Sequence, residues 1–244
     1  DSVKFTPIEQ EMVAAVDVRD MEIQQFILPL DLDLELGYYD LFLVEEGIDE
    51  PLATSRLIMA PTSCFKQEAL HSGKKMWGPS VQLYCVKSRH NWGVGDFSDL
   101  KYLIERVADR GADFVGLNPI HALYPNNADA CSPYSPSSRR WLNVIYIDVQ
   151  AVDGYETNSE VQALVNGEAF QTQLQLAKEA EHVDYGSVMD MKLRALWPLY
   201  LGFAKTDVKG KTQLAQDFAA FKQEGGDSLL QLATFDAIQH DFKA

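Results

Sequence analysis

The chain has 244 residues, enough for one large domain or two of ordinary size. Its composition, with 46% hydrophobic and 23% charged residues, indicates a globular protein. A formal charge of −15 argues against nucleic acid and anionic membrane surfaces as partners. No apolar run reaches the roughly 20 residues of a membrane-spanning helix. Three widely spaced cysteines form neither a disulfide framework nor a zinc site, so we expect a cytoplasmic protein.

The first part of the chain, residues 1–75, is predicted to form a small antiparallel β domain. Leucine alternates with Asp or Glu over residues 31–36, which is typical of a half-buried strand. Residues 38–44 and 55–59 read as two further strands, with a turn at Gly47. The alternating carboxylates resemble a metal site, but the strand pattern accounts for every position, and we predict no metal.

The next part alternates between strand and helix patterns. An apolar run at 81–86 predicts a strand, and a one-sided apolar pattern predicts a helix over 97–110. Asp96 is a good residue to cap the start of that helix, and Gly111 to end it. A second strand is predicted at 113–117. Strand, helix and strand in this order indicate a βαβ unit and therefore a parallel sheet.

A long turn-rich segment, residues 118–140, contains four prolines and several serines. Loops of this length inside a compact domain are uncommon and are often functional. A third strand of this region is predicted at 144–149. From about residue 159 the pattern is helical, and Pro198 is expected to kink or end one helix.

Two partial nucleotide-binding motifs are present and neither is complete. Gly-Val-Gly at 93–95 follows a predicted strand, but Ser98 occupies the position of the third glycine. Gly-Lys-Thr at 210–212 lacks the leading glycine of a phosphate-binding loop, because that position is Lys205. The residues therefore indicate no nucleotide cofactor.

Several short motifs occur in a fixed order along the chain. The main segments are WGPSVQLY at 77–84, NWGVGDF at 91–97, GLNPIHAL at 116–123 and SPYSPSSR at 132–139. Smaller segments are LPL at 28–30, LGYY at 36–39, VDY at 183–185 and Lys192. Together they resemble glycoside hydrolase family 77, the bacterial 4-alpha-glucanotransferases or amylomaltases. The resemblance extends over nearly the whole chain, and it rests on the shared order of the motifs more than on any single motif.

The resemblance implies an α/β fold in which residues 76–244 form the first part of a (β/α)8 barrel, with a helical insertion from about residue 155. It also implies transfer of α-1,4-glucan segments between malto-oligosaccharides, with maltose and glucose among the sugars bound and no cofactor. Enzymes of this family retain the anomeric configuration, which requires two carboxyl groups about 5–5.5 Å apart.

The catalytic acids of the family are not assigned to any residue. A (β/α)8 barrel needs roughly 250 residues, whereas 164 follow position 80. No segment matches the family's nucleophilic aspartate or its acid/base glutamate, so we expect both beyond residue 244. The chain is accordingly interpreted as an interior fragment of a longer enzyme, inactive alone.

The resemblance assigns a sugar-binding role to Tyr134. An aromatic face covers the apolar face of a pyranose, and the neighbouring prolines stiffen the loop. A buried loop tyrosine is the structural alternative. The other candidate substrate-binding residues adjoin Tyr134 or follow the first two barrel strands: Ser132, Pro133, Asn118, His121 and Trp92.

Two other functions stay open at this point. The first is an α-amylase-like glucan hydrolase, which differs in preferring water to a sugar as acceptor. The second is a non-catalytic fragment that binds malto-oligosaccharide. The sequence does not determine the oligomeric state.

Overall fold

The structure is a computed structural model that describes residues 11–19, 21–27, 32–45, 47–48 and 50–242. The chain divides into two compact units, Asp1–His71 and Ser72–Ala244, which are described separately. The predicted division into domains at residues 75 and 76 stays a prediction.

In its described residues, the first unit contains two antiparallel hairpins and one short helix. Strand β1 (Glu11–Val18) pairs with β2 (Met21–Ile27), β3 (Gly37–Leu43) pairs with β4 (Ala53–Met59), and helix α1 is Glu68–His71. The strands predicted at 38–44 and 55–59 are therefore confirmed. Arg56 and Asp40 face each other across the second hairpin and form an ion pair of 2.9 Å.

The strand predicted over residues 31–36 is wrong where the structure describes it. Residues 32–36 precede β3 without pairing to another strand, and Leu36 is 66% exposed. Alternation of side chains does not supply a backbone partner, and a strand needs one. Residue 31 and the LPL match at 28–30 lie outside the described residues.

The second unit begins with the predicted βαβ unit. Strand β5 (Ser80–Val81) and strand β6 (Gly116–Leu117) are parallel and flank helix α2 (Phe97–Ala108). Both strands are shorter than predicted. After Val81 the chain enters a 3₁₀ turn at Leu83–Cys85, where backbone amides donate to local carbonyls instead of to a neighbouring strand.

A tight turn between β5 and α2 is built as the sequence predicts. The Asp96 carboxylate accepts from the backbone amides of Ser98 and Asp99, each at 3.0 Å, and the Asp99 carboxylate accepts from the Asp96 amide. This reciprocal cap begins α2. Gly95 is required nearby, because a Cβ there would lie 2.2 Å from the Leu83 carbonyl oxygen.

The segment predicted as one long loop contains a short antiparallel pair that the sequence did not indicate. Strand β7 (His121–Ala122) pairs with β8 (Ser138–Leu142). The strand predicted at 144–149 is wrong, because the chain forms 3₁₀ turns at Val144–Tyr146 and Val149–Ala151. Asn143 and Asp148 accept from amides two residues ahead, and such side-chain contacts compete with strand pairing.

The helical region predicted from residue 159 is confirmed. It contains α3 (Ser159–Val165), α4 (Glu168–Glu179), α5 (Tyr185–Phe203), a π-helical turn (Ala204–Val208) and α6 (Gln213–Asp241). Helix α6 is interrupted at Gly226, where φ is +50°. Pro198 does not end its helix, since α5 continues to Phe203.

The core of the second unit joins the βα turn to the helices. Trp92 and Val94 from the turn pack with Ile145 and with apolar residues of α3, α4 and α5. Lys192 of α5 lies in this core and donates from Nζ to the carbonyl oxygens of Ile145 and Ile147 at 2.5 and 2.7 Å. Among the described residues, no helix is both long and apolar enough to cross a membrane.

Candidate functional site

An open cleft lies at the carboxyl ends of β5 and β6 and has a volume of about 580 Å³. Ligands of open α/β sheets bind outside the carboxyl ends of parallel strands, so this is the expected position of a functional site. The lining residues come from β5 and the turn after it, from the residue after β6, and from the loop between β7 and β8: Ser80, Val81, Gln82, Cys85, Val86, Asn118 and Tyr134.

Tyr134 is presented on a proline-initiated turn. The Ser135 amide donates to the Ser132 carbonyl oxygen at 3.1 Å, which closes a four-residue turn with Pro133 second and Tyr134 third. Proline suits the second position of such turns because its ring presets the backbone angle φ. The tyrosine is 65% exposed. It is therefore not the buried loop tyrosine of the structural alternative.

Asn118 connects this turn to the parallel sheet. It directly follows β6, and its side-chain Nδ2 donates to the Tyr134 phenol oxygen at 2.8 Å. The phenol thus stands beside the end of a strand although 16 residues separate the two positions. Asn118 and Tyr134, both predicted site residues, are brought together by the structure.

The base of the loop that carries Tyr134 is closed by Ser137. Its backbone amide donates to the Ala122 carbonyl oxygen at 2.9 Å, and its hydroxyl shares its one proton between the Leu123 and Ala122 carbonyl oxygens, at 2.6 and 3.1 Å from Oγ. On the far side, Asn126 Nδ2 donates to the Asp236 carbonyl oxygen of α6 at 3.1 Å. The loop is therefore held at both its base and its tip.

Three other predicted residues do not line the cleft. Ser132 is exposed and Pro133 half-buried on the turn, and both shape the presentation of Tyr134. His121 is half-buried in β7, opposite Leu142. The stretch SPY at 132–134 therefore contributes one side chain to the cleft lining.

Trp92 requires a correction. It is 3% exposed and packs edge-on against Phe170, with 5.2 Å between ring centroids. A ring enclosed in the core cannot stack on a sugar. The neighbouring Asn91 is also buried, where its amide donates to the Val86 carbonyl and the Asp99 carboxylate. This turn is thus structural, because Trp92 and Asn91 both support the start of α2 from within the core.

Three polar residues of the cleft are not among those predicted from the sequence: Ser80, Gln82 and Cys85. Their position could have indicated a role in the site, because they occur at or just after the end of the first strand of the βαβ unit. The strand was predicted to continue to residue 86, which placed Gln82 and Cys85 inside it. The early end of β5 is what moves them to the cleft.

The cleft offers neutral polar groups and an aromatic ring. Its lining provides a hydroxyl, two amides, a thiol and the Tyr134 phenol, without an acidic side chain. Tyr84 lies next to Cys85, and burial raises the pKa of Tyr84, with Cys85 and Tyr134 adding to the shift, so it is a neutral phenol at neutral pH. Such a surface suits a neutral polyhydroxylated ligand better than a cation or an anion.

The fold is shared with a solved enzyme structure. The crystal structure of amylomaltase from Corynebacterium glutamicum matches with a TM-score of 0.67 and 24% sequence identity, covering 96% of this chain and 32% of that chain. At this identity the match defines the class of fold, an α/β fold.

The chain belongs to the 4-alpha-glucanotransferase family, whose sequence model matches residues 81–244. A 4-alpha-glucanotransferase of Haemophilus influenzae is 38% identical over 205 residues, which are 84% of this chain and 29% of that protein. One of Mycobacterium tuberculosis is 37% identical over 134 residues, which are 52% of this chain and 18% of that protein. The chain thus spans less than a third of the length of these relatives, and the family predicted from the sequence is confirmed.

Proposed function

We propose that this chain is part of a 4-alpha-glucanotransferase that moves α-1,4-glucan segments from one malto-oligosaccharide to another. The family membership and the relatives of that name support the reaction. The observation that carries the proposal is the exposed Tyr134 ring, held by Asn118 over a cleft at the carboxyl ends of β5 and β6. That is the face on which (β/α)8 barrels build their active sites.

The cleft residues bind the sugar and orient it. The Tyr134 face covers the apolar C–H face of a glucose ring, and the amides of Gln82 and Asn118 exchange hydrogen bonds with its hydroxyl groups. In this proposal residues 76–244 are the first part of a (β/α)8 barrel, which the parallel pair β5 and β6 begins, and the hairpins of residues 1–75 form a small β domain before it.

The proposed transfer reaction requires two carboxyl groups that the described cleft lining does not supply. A retaining double displacement uses one as nucleophile and one as general acid and base, about 5–5.5 Å apart. The lining holds neither Asp nor Glu. We therefore propose that the acids come from a part of the protein outside these 244 residues, and that the chain alone binds sugar without turnover.

The reaction is tested by incubating maltotriose with the intact protein, expressed from its complete gene. The expected products are glucose together with malto-oligosaccharides longer than the substrate, since a transferase prefers a sugar hydroxyl to water as acceptor. If glucose and maltose are the only products, the protein is an α-amylase-like hydrolase instead. Absence of any product would leave a glucan-binding protein.

The position of the site is tested on the 244-residue chain by thiol labelling. Cys85 lies exposed in the cleft, and Cys64 is exposed in the first unit and serves as an internal control. Saturating maltotriose is expected to slow iodoacetamide alkylation of Cys85 and leave Cys64 unchanged, as peptide mass spectrometry would measure. Tyr134→Ala should abolish the protection. Equal alkylation rates with and without sugar would refute a sugar site here.

Location in the cytoplasm is the last part of the proposal. Its support is that Cys64, Cys85 and Cys131 are all free thiols, as proteins of a reducing compartment usually have.

A further inference from the structure

We infer that Asn118 is a positioning residue that acts through the hydroxyl of Tyr134. This inference rests on the proposed function, because it assigns Tyr134 as a ligand of the sugar. Its basis is the hydrogen bond from Asn118 Nδ2 to the phenol oxygen at 2.8 Å, in the wall of the cleft.

The direction of this hydrogen bond determines what the phenol offers to a ligand. A tyrosine hydroxyl accepts through its oxygen and donates one proton. The amide of Asn118 uses the accepting side, and within the described residues the Tyr134 side chain makes no other hydrogen bond. The phenol proton is therefore left to donate to an oxygen of the sugar.

The two partners of the hydrogen bond differ in how the fold holds them: Asn118 adjoins the parallel sheet, and the Tyr134 ring is mostly exposed. Asn118 follows Leu117, which pairs with Val81 in the parallel sheet. Tyr134 is at the third position of an exposed turn and has little packing around its ring. The hydrogen bond from Asn118 thus fixes the Tyr134 ring relative to the end of β6. An exposed aromatic ring without such a contact samples several rotamers, which costs entropy when the ligand binds.

The experiment is a double-mutant cycle on kcat/KM for maltotriose, measured with the intact protein. Asn118→Leu removes the donor at similar volume, and Asn118→Asp replaces it with an acceptor that draws the phenol proton away from the ligand. We expect each change to lower kcat/KM about three- to tenfold, the range of one neutral hydrogen bond. Tyr134→Phe should cost a similar factor.

The cycle separates positioning from a purely structural role. If Asn118 acts through the hydroxyl, Asn118→Leu lowers kcat/KM less than about twofold in the Tyr134→Phe background. If Asn118 only supports the fold, Asn118→Leu lowers kcat/KM by the same factor with Tyr134 as with Phe at position 134. The melting temperature then also falls in both backgrounds. Asn127→Leu is the matched control, because Asn127 accepts from the Asp129 amide in the same loop and does not line the cleft.

Failure of the inference is distinguishable from failure of the proposed function. If the double variant lowers kcat/KM by the product of the factors for Asn118→Leu and Tyr134→Phe, Asn118 does not act through the Tyr134 hydroxyl. That result would leave the sugar site in place. An unchanged kcat/KM for Tyr134→Ala, in a protein that still converts maltotriose, would overturn the sugar site at Tyr134 and the positioning role with it.

Discussion

Lys192 shows how one buried cation joins parts of the chain that are far apart in sequence. Its Nζ donates to two carbonyl oxygens of the segment after β8, while its backbone belongs to α5. Burial lowers the pKa of Lys192 to about 8, and negative charge on Asp96, Asp148 and Asp99 opposes the shift. The lysine therefore titrates near the upper end of the physiological range.

The stability contributed by Lys192 should rise with pH. Below about pH 8 the amine is protonated in both states, and the folded state bears the cost of a buried charge. Between about 8 and its ordinary value of 10.5, the folded state binds fewer protons than the unfolded state, so unfolding becomes less favourable as pH rises. Relative to Lys192→Met, we expect the wild-type free energy of unfolding to gain about 2 kcal/mol between pH 7 and 9.5.

Urea unfolding at the two pH values measures this difference. Comparison with Lys192→Met removes the titration of other groups, such as the buried Tyr146, from the result. Lys209→Met is the control, because Lys209 is exposed and its replacement should change the unfolding free energy by the same amount at both pH values. If the unfolding free energy of the wild type relative to Lys192→Met instead fell between pH 7 and 9.5, Lys192 would not have a lowered pKa in the folded state.

The loop between β7 and β8 is the element that places the candidate site. Its prolines and its length predicted a functional loop, and Tyr134 on a proline-initiated turn agrees with that reasoning. The sequence did not indicate that Ser137 closes the loop. A serine hydroxyl is common in loops, and only the approach of the Ala122 and Leu123 carbonyls shows what this one does.

Removing the Ser137 hydroxyl should loosen the loop without unfolding the protein. Ser137→Ala removes the one hydroxyl donor that the Ala122 and Leu123 carbonyl oxygens share, and keeps the bond from its backbone amide. We expect a cost of about 1 kcal/mol in local stability, or about fivefold faster hydrogen exchange. The amides to follow are those of Asn127, Ala130 and Ser135, which donate within the loop.

Ser135→Ala is the matched control for this loop. Ser135 is exposed, and its contribution to the turn comes from its backbone amide, which the substitution keeps. Its exchange rates should equal those of the wild type. If Ser137→Ala also leaves the three rates unchanged, the hydroxyl does not hold the loop.

The second unit, considered as a whole, exposes several large apolar side chains, and some of them line one groove. A groove of about 1230 Å³ between α5, the end of α6 and the loop tip contains Trp197, which is 61% exposed, and Tyr200. In addition, β5 and β6 form a sheet of only two short strands in the described part of the unit. Unpaired strand edges and exposed rings both favour association.

We therefore expect the 244-residue chain to self-associate when it is produced alone. Sedimentation velocity at several concentrations should show a rising average mass, and Trp197→Ser with Tyr200→Ser should reduce it. Tyr102→Ser is the control, because Tyr102 is similarly exposed on α2 but outside the groove. A monomer at all concentrations, or equal behaviour of the control, would count against this expectation.

Local features of this protein were readable from the residues because they depend on near neighbours. The cap at Asp96, the end of α2 and the hairpin of β3 and β4 each follow from side chains within a few positions. The family was readable too, since its motifs are short and occur in a common order.

Contacts between distant segments were decided only by the tertiary structure. The early end of β5, the enclosure of Trp92 against Phe170 and the hydrogen bond between Asn118 and Tyr134 each depend on a partner that local pattern does not specify. The residues at 144–149 show the reason: their apolar side chains suit a strand equally well, but a strand requires a neighbour, and the chain meets its hydrogen-bond needs through Asn143 and Asp148 instead.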